Sequence, residues 1–148
     1  MQFIRVTKDN IKDLYEINRQ LAINEGQKDL FIASLKNYSK GFLGDKKIAY
    51  GILCYQDNNL IGFSICHFKF ATYLGLKALY IEDIYLKKEY CSQSNKSEFL
   101  KHLIKEARNN NCCRVEMRVL KSVNWGVDLL NNLGLKNIDK WSVYRLSF

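Results

Sequence analysis

The sequence contains no proline among its 148 residues, and it has no long apolar run. A membrane-spanning helix needs about 20 consecutive apolar residues, and no segment approaches that length. The opening segment, MQFIRVTKDN, lacks the charged-then-apolar order of a secretory signal peptide. We therefore expect a cytoplasmic protein with no membrane partner.

Metal-ligating residues are also scarce. The chain has two histidines, His67 and His102, and its five cysteines include no CxxC pair. Neither histidine has zinc-ligand spacing to a cysteine, so we predict no metal site. An adjacent pair such as Cys112 and Cys113 rarely closes a disulfide, and we interpret the cysteines as reduced thiols.

Positive charge is in excess, because the chain has 23 lysines and arginines but only 15 aspartates and glutamates, for a formal net charge of +8. The lysines are scattered from Lys8 to Lys140, and no nucleic-acid-binding motif is visible. A basic surface serves solubility as well as anion binding. We therefore expect no nucleic-acid partner.

The composition is that of a globular protein. Hydrophobic residues make up 47% of the chain and charged residues 26%, which are ordinary values. The length suits one hydrophobic core, and no linker-like, repetitive or low-complexity segment interrupts the chain. The sequence predicts a single domain over residues 1–148.

Hydrophobic periodicity predicts mixed secondary structure. We expect Thr7 to cap the first helix, Gly26 to end it, and residues 57–59 to form a hairpin turn. The predicted helix 98–110 lies between two strands, which implies that these strands pair in parallel. The hairpins that precede it imply antiparallel strands. The predicted strands are 2–6, 48–56, 60–70, 78–86, 112–120 and 141–148, and the predicted helices are 11–25, 30–44, 98–110 and 124–134.

Two adjacent carboxylates, Glu82 and Asp83, interrupt the apolar strand ALYIEDIYL. Successive strand residues face opposite sides, so we expect at most one of them to point into a given cleft. A carboxylate there can attract a cation and accept a proton. It can equally pair with a neighbouring lysine or arginine, or cap a turn. Both interpretations stay open at this point.

The element order and three segments together resemble the GNAT superfamily of N-acetyltransferases, in particular its diamine (spermidine/spermine) and thialysine branch. The segments are LAINEGQKD at 21–29, GFSICHFKFATYLGLKALYIEDIYL at 62–86, and NNLGLKNIDKWSVYRL at 131–146. The most specific element is the TYLG turn followed by LYIEDIYL. The resemblance implies an α/β (α+β) protein of GNAT fold, with a mixed central sheet in which one strand pair is splayed and helices flank the sheet.

The resemblance also implies an activity, which is acetyl-CoA-dependent N-acetylation of a primary amine on a small molecule. The amine could be a diamine, a polyamine or a lysine-like metabolite. Glu82 is implied as the catalytic base, and Glu82 and Asp83 as substrate-binding residues. Main-chain groups of Ile84, Tyr85 and Leu86 would pair with the acyl-pantetheine arm between the splayed strands. A homodimer is implied because the resembling enzymes are dimers.

The expected phosphate loop departs from its pattern. The superfamily has Arg/Gln-x-x-Gly-x-Gly/Ala here, because glycine lets main-chain amides approach the CoA pyrophosphate. Ser94 and Lys96 stand at the two glycine positions. Asn95 and Glu98 fit a capping box that would occupy those amides, whereas Lys96 adds a charge that could meet phosphate. The cofactor-binding residues implied at this loop are Ser92, Gln93, Ser94, Asn95, Lys96 and Ser97.

A second departure concerns the general acid. The tyrosine that serves this role in the diamine branch corresponds to Leu130, which has no proton to donate. Tyr85, Tyr90 and Tyr144 are alternatives, although ordinary packing also explains each of them. The missing glycines and Leu130 favour a second hypothesis, in which a degenerate GNAT domain no longer binds CoA tightly and acts as a binding or regulatory module.

Overall fold

The structure is a computed structural model, and it describes residues 1–119, 126–138, 140 and 142–147. In these residues the chain forms five strands, four α-helices and two short 3-10 turns. The elements are β1 (Gln2–Arg5), α1 (Ile11–Asn24), a turn at Lys28–Leu30, α2 (Leu35–Phe42), β2 (Tyr50–Gln56), β3 (Asn59–Ala71), β4 (Leu76–Leu86), a turn at Lys88–Tyr90, α3 (Gln93–Asn109), β5 (Val115–Met117) and α4 (Val127–Asn132).

The strands form one mixed sheet in the order β1-β2-β3-β4-β5. The first four pair antiparallel with their neighbours, and β5 pairs parallel with β4 after the chain crosses through α3. The parallel ladder runs from Leu79 opposite Val115 to Ile81 opposite Met117. Beyond Ile81, no described residue pairs with the outer edge of β4. The predicted mixed sheet with a splayed strand pair is therefore confirmed.

Helices cover both faces of the sheet, as the alternation of apolar residues requires. Phe99 and Leu103 of α3 are fully buried in a cluster on one face, together with Leu79 and Ile81 of β4. On the other face, α1 and α2 pack against β3 in a second cluster, which contains Leu14, Tyr38 and Phe63. Burying one such side chain contributes about 1.5–3 kcal/mol. The site described below lies on the α1 and α2 face.

The start of α1 differs from the prediction. The helix begins at Ile11 with Asn10 as its N-cap, so Thr7 is not the capping residue. Thr7 instead closes a turn, in which its amide donates to Asn10 Oδ1 at 2.7 Å and its hydroxyl accepts from the Asp9 amide at 3.3 Å. Short polar side chains often bond their own neighbourhood in this way. Gly26, with φ +68°, follows the end of the helix as predicted.

The second helix is shorter than predicted. It begins at Leu35, because Ser34 and Asn37 form a capping box that sets its first turn. Leu30, the first residue of the predicted helix, lies in the preceding 3-10 turn and is 75% exposed. The hairpin turn between β2 and β3 is confirmed, with Asp57 and Asn58 both at positive φ.

The C-terminal predictions are met only in part. β5 ends at Met117, and residue 120 of the predicted strand lies outside the described residues. Of the predicted helix 124–134, residues 127–132 are helical and residues 124 and 125 lie outside the described residues. Of the predicted strand 141–148, residues 142–147 are exposed and not in a strand, so that prediction is wrong for them; 141 and 148 are outside the described residues. A strand needs a neighbour to satisfy its main-chain groups, and no described strand accompanies this segment.

All five cysteines are free thiols, in agreement with their interpretation from the sequence. Among the helices that the structure describes, none is long and apolar enough to cross a bilayer.

Candidate functional site

A bulge in β4 places both carboxylates on one face of the sheet. The register between β3 and β4 shifts at this point, so that Glu82 has no partner residue on β3. Ile81 and Ile84, on either side of the carboxylates, both pack in the cluster beneath α3. Glu82 and Asp83 therefore both lie on the opposite face, which α1 and α2 cover. The expectation that they point to opposite sides is wrong, because a bulge adds one residue to the alternation.

Glu82 is engaged by charged neighbours. Its Oε1 forms an ion pair with Arg118 Nη2, and its Oε2 lies 3.7 Å from His67 Nε2. The side chain is only partly exposed, at 36%. This arrangement matches the alternative in which a strand carboxylate pairs with a nearby arginine. A carboxylate held in this way is a less available proton acceptor for an incoming amine.

Asp83 lies in a different environment. Burial raises its pKa above the ordinary value of 3.8, and the neighbouring charge of Glu25 raises it further. Burial also raises the pKa of Glu25, which follows the last residue of α1. Asp83 and Glu25 lie close enough for the charge of Glu25 to act on Asp83, and two neighbouring carboxylates can attract a cation and accept its proton.

Sequence reasoning did not identify Glu25 as a site residue. The residue stands in the segment LAINEGQKD, which carried part of the resemblance, but nothing in the linear spacing relates it to Asp83. Only the packing of the end of α1 against β4 brings the two together. A polar residue beside a helix C-terminus is common on any surface, so its presence in the sequence was not a usable signal.

Two asparagine–tyrosine hydrogen bonds tie α1 to the rest of the site. Asn24 Nδ2 donates to the Tyr85 hydroxyl at 2.8 Å, and Asn18 Nδ2 donates to the Tyr38 hydroxyl at 2.7 Å. Tyr85 follows Asp83 by two residues on the same strand face, and Asn24 precedes Glu25 in the chain. Burial raises the pKa of Tyr38, and the charge of Asp83 raises it further. These bonds hold the acidic pair between a helix end and a strand.

The outer edge of β4 offers main-chain groups to a ligand. The Lys87 amide donates to the Ile61 carbonyl at 2.8 Å, so position 87 faces β3. Residues of an antiparallel strand alternate between its two edges. Tyr85 therefore directs its N–H and C=O to β3, while Ile84 and Leu86 direct theirs to the edge that β5 has left. Of the three predicted main-chain contacts, the geometry supports Ile84 and Leu86.

The first turn of α3 replaces the predicted phosphate loop. The helix begins at Gln93, and the hydroxyl of its N-cap Ser92 accepts from the Asn95 amide at 3.2 Å. The predicted capping box of Asn95 and Glu98 is wrong, because the helix starts earlier. Glu98 pairs with the N-terminal ammonium at 2.8 Å. The amides of Gln93 and Ser94, at the first two helical positions, have no intrahelical acceptor and face outward in this turn.

The remaining loop residues lie further inside the helix. Lys96 is 8% exposed and shares the buried face of α3 with Phe99 and Leu100. Ser97 is half-buried one position later. Ser92, Gln93 and Ser94 are exposed, so the surface available to a phosphate is the start of the turn rather than the whole of 92–97.

Leu130 is half-buried in α4, and the three alternative tyrosines lie apart from one another. Tyr85 is held by Asn24 on the α1 face, Tyr90 packs in the cluster beneath α3, and Tyr144 is 92% exposed. The structure thus gives no grouping of these hydroxyls that would replace a proton donor. Within the described residues, no three His, Cys, Asp or Glu side chains stand close enough together to hold a metal ion.

The mixed sheet, the parting of β4 from β5 and the helix that starts just beyond β4 define the GNAT class of α/β fold. The sequence profile of the acetyltransferase (GNAT) family matches residues 11–134. The chain belongs to that family.

Characterised relatives share part of the sequence. A thialysine N-ε-acetyltransferase from Sus scrofa is 29% identical over 93 residues, which are 61% of this chain and 54% of that protein. The thialysine N-ε-acetyltransferase from Bos taurus is 28% identical over 89 residues, 58% of this chain and 52% of that protein. The chain thus spans about half the length of the curated relatives that it matches. These matches confirm the resemblance drawn from the sequence.

Solved structures with the same fold include an aminoglycoside acetyltransferase from an uncultured soil metagenomic sample, in complex with sisomicin. It has a TM-score of 0.81 and 12% identity, and the match covers 99% of this chain and 95% of that one. A ribosomal-protein-alanine N-acetyltransferase from Brucella melitensis biovar Abortus 2308 has a TM-score of 0.76 and 17% identity, with both chains fully covered. At these identities the likeness establishes the fold alone.

Proposed function

We propose that this protein is an acetyl-CoA-dependent N-acetyltransferase whose acceptor is the primary amine of a small molecule, either a diamine, a polyamine or a lysine-like compound. The observation that carries the proposal is the juxtaposition of the Glu25 and Asp83 pair with the open main-chain edge of Ile84 and Leu86. The carboxylate pair suits a cationic amine, and the open main-chain edge suits an extended chain that contains amides.

The residues present fit acetyl-CoA in two places. The pantetheine arm carries amide groups that can pair with Ile84 and Leu86 in the manner of an added strand. The exposed start of α3 offers the amides of Gln93 and Ser94 and the positive end of the helix dipole to the phosphates. Since the first contact uses main chain and the second needs only two amides, the loss of the glycines does not by itself remove either.

The chemistry then needs a proton acceptor, because an ammonium cannot attack a thioester. We assign this role to Asp83, whose raised pKa makes it a stronger base than an exposed carboxylate. Glu25 supplies a second negative charge that holds the cation. Glu82, the base implied by the resemblance, forms an ion pair with Arg118, so we do not assign it the role of base. The neutral nitrogen attacks the carbonyl carbon, and CoA departs as the thiolate.

We also propose a homodimer. The outer side of β5, residues Val115–Met117, has no neighbouring strand among the described residues. Val143, Tyr144 and Leu146 are each at least 78% exposed in the single chain. Apolar segments exposed to this degree are often covered by a partner. Sedimentation equilibrium tests this part, and a monomer at micromolar concentration contradicts it.

The main experiment is a calorimetric titration with acetyl-CoA, followed by acetylation assays on a panel of diamines, polyamines and lysine-like amines. We expect micromolar binding and transfer to at least one acceptor class. Asp83→Asn should lower kcat/KM by about 100-fold or more, the usual contribution of a general base. Asp9→Asn, an exposed position far from the site, is the control.

A specific observation favours the second candidate function, a GNAT domain that has become a binding or regulatory module. The Ser92 hydroxyl already accepts a hydrogen bond from one amide in the first turn of α3, and Lys96 is buried rather than presented to solvent. No binding of acetyl-CoA at millimolar concentration would remove the enzyme hypothesis, whereas micromolar binding would remove this alternative.

A further inference from the structure

Arg118 lies at the point where β4 and β5 part. The last main-chain pair of the two strands joins Ile81 and Met117. Glu82 follows Ile81 in β4, Arg118 follows the last residue of β5, and their side chains form an ion pair across the opening. The separating ends of β4 and β5 enclose a wedge-shaped opening, whose apex is the Ile81–Met117 pair. The guanidinium therefore lies at this apex, on the face of the sheet that carries Asp83.

The proposed function places the reacting thioester at this apex, and the present inference rests on that function. Phosphates at the start of α3 would lie just beyond the end of β4. An arm that pairs with Leu86 and then Ile84 runs back along β4 toward Asp83. The sulfur at the end of that arm would accordingly come to the level of Glu82 and Arg118.

The reaction needs positive charge or a proton there, because the sulfur leaves as an anion. A thiol has an ordinary pKa of about 8.5, and Leu130 has no proton to supply. We propose that Arg118 stabilises the negative charge that develops on the sulfur, in place of a general acid. A guanidinium has five N–H donors and stays protonated, so it can bond Glu82 and still face the sulfur.

The step balances without an acid. The nitrogen lone pair forms the C–N bond, and the electron pair of the broken C–S bond stays on sulfur. The ammonium gives one proton to Asp83 before the attack, the nitrogen gives a second proton to solvent as the amide forms, and Arg118 neither gains nor loses one. Charge fixed before the reaction is more effective than charge that must reorganise, which is the general advantage of preorganised electrostatics.

Three further charged side chains on this face form a second cluster. Lys69 of β3 and Arg114 both form ion pairs with Glu116 of β5, the latter at 2.6 Å between Arg114 Nε and Glu116 Oε1. Arg114 is 44% exposed and Arg118 46%, and both precede or follow the same short strand. Arg114 is therefore a matched control, since it differs from Arg118 mainly in lying away from the wedge.

The test measures the ionisation of the CoA thiol when bound to the protein, by ultraviolet absorbance of the thiolate against pH. Desulfo-CoA serves as the blank, because it lacks the thiol and cancels the absorbance of the five protein cysteines. We expect the bound thiol to ionise about tenfold more readily in the wild type than in Arg118→Gln, as for an opposite charge close by. Arg114→Gln should match the wild type, and Arg118→Lys should retain part of the effect.

The outcomes separate this inference from the proposed function. CoA that binds with the same thiol ionisation in wild type and Arg118→Gln overturns the role of Arg118 and leaves the acetyltransferase proposal intact. An equal effect of Arg114→Gln overturns it too, since the cause would then be the general field. Failure of the wild type to bind CoA overturns both. Arg118→Gln should also lose less activity with acetyl thioesters of more acidic thiols, and an equal loss for all donors contradicts the inference.

Discussion

Gly62 of β3 lies directly opposite Leu86 of β4, and the two strands approach so closely there that a side chain does not fit. A β-carbon on Gly62 would lie 2.7 Å from Leu86 Cδ2 and would overlap the Tyr85 carbonyl oxygen. Because Leu86 belongs to the open edge, this approach sets the position of the proposed pantetheine contact. Gly62→Ala should lower the free energy of unfolding by about 1–3 kcal/mol and weaken acetyl-CoA binding, as measured by urea denaturation and calorimetry.

The control for this prediction is Gly41→Ala. Gly41 is the next-to-last residue of α2, and an added β-carbon would meet only Ile48 Cγ1, at an ordinary 3.9 Å. Alanine is more favourable than glycine by about 0.5–1 kcal/mol in a helix interior and by less at a helix end, so this variant should be at least as stable as the wild type. A Gly62→Ala protein as stable as the wild type would show that β3 and β4 can separate without cost.

The N-cap of α3 links helix stability to phosphate binding. The Ser92 hydroxyl accepts a hydrogen bond from the Asn95 amide, and this amide could otherwise donate to a bound phosphate. Ser92→Gly removes that competitor at a cost of a few tenths of a kcal/mol, roughly the difference between these N-caps. We expect tighter CoA binding by calorimetry together with a slightly lower melting temperature. Ser34→Gly makes the same change at the N-cap of α2 and should lower stability alone; a parallel gain in affinity there would contradict the interpretation.

Asp83 makes the stability of the protein depend on pH. Since burial raises its pKa above 3.8, the folded protein holds the Asp83 proton more tightly than the unfolded chain does. The stabilisation from this group is complete below pH 3.8 and is lost as pH rises through the raised pKa. Asp83→Asn should therefore melt at a higher temperature than the wild type at neutral pH, and the gain should vanish in acid. Thermal melts across this range, with Asp9→Asn as the reference, decide the point; a destabilised Asp83→Asn at neutral pH would contradict it.

The hydroxyl of Tyr85 ties β4 to the end of α1 beside the acidic pair. Tyr85→Phe removes this group alone and leaves the Asn24 amide without its acceptor. A neutral hydrogen bond contributes about 0.5–1.5 kcal/mol, so the KM for the amine should rise several-fold while the affinity for acetyl-CoA stays unchanged. Tyr73→Phe, at a side chain that is 92% exposed, should change neither constant. An altered CoA affinity in Tyr85→Phe would indicate that the hydroxyl supports the wedge instead.

Most of the fold could be predicted from the sequence because the signals are local. The apolar spacing of Ile11, Leu14 and Ile17 identifies α1, and Asp57 with Asn58 identifies the first hairpin turn. The predicted N-caps of α1 and α3 were wrong, because each segment holds more than one polar residue that can precede a helix. The first helix begins after Asn10 rather than after Thr7, because residues 7–10 form a turn of their own. The third helix begins before Asn95, because the Ser92 hydroxyl accepts from a free amide of its first turn.

The sequence by itself determined the order of the elements as far as α4, the mixed sheet and the position of two carboxylates in a central strand, since each follows from local periodicity. Tertiary structure decided what those carboxylates do. The bulge put Glu82 and Asp83 on one face, Arg118 engaged the first, and the end of α1 brought Glu25 to the second. These relationships join residues far apart in the chain, and the energies that set them arise only when the strands and helices pack.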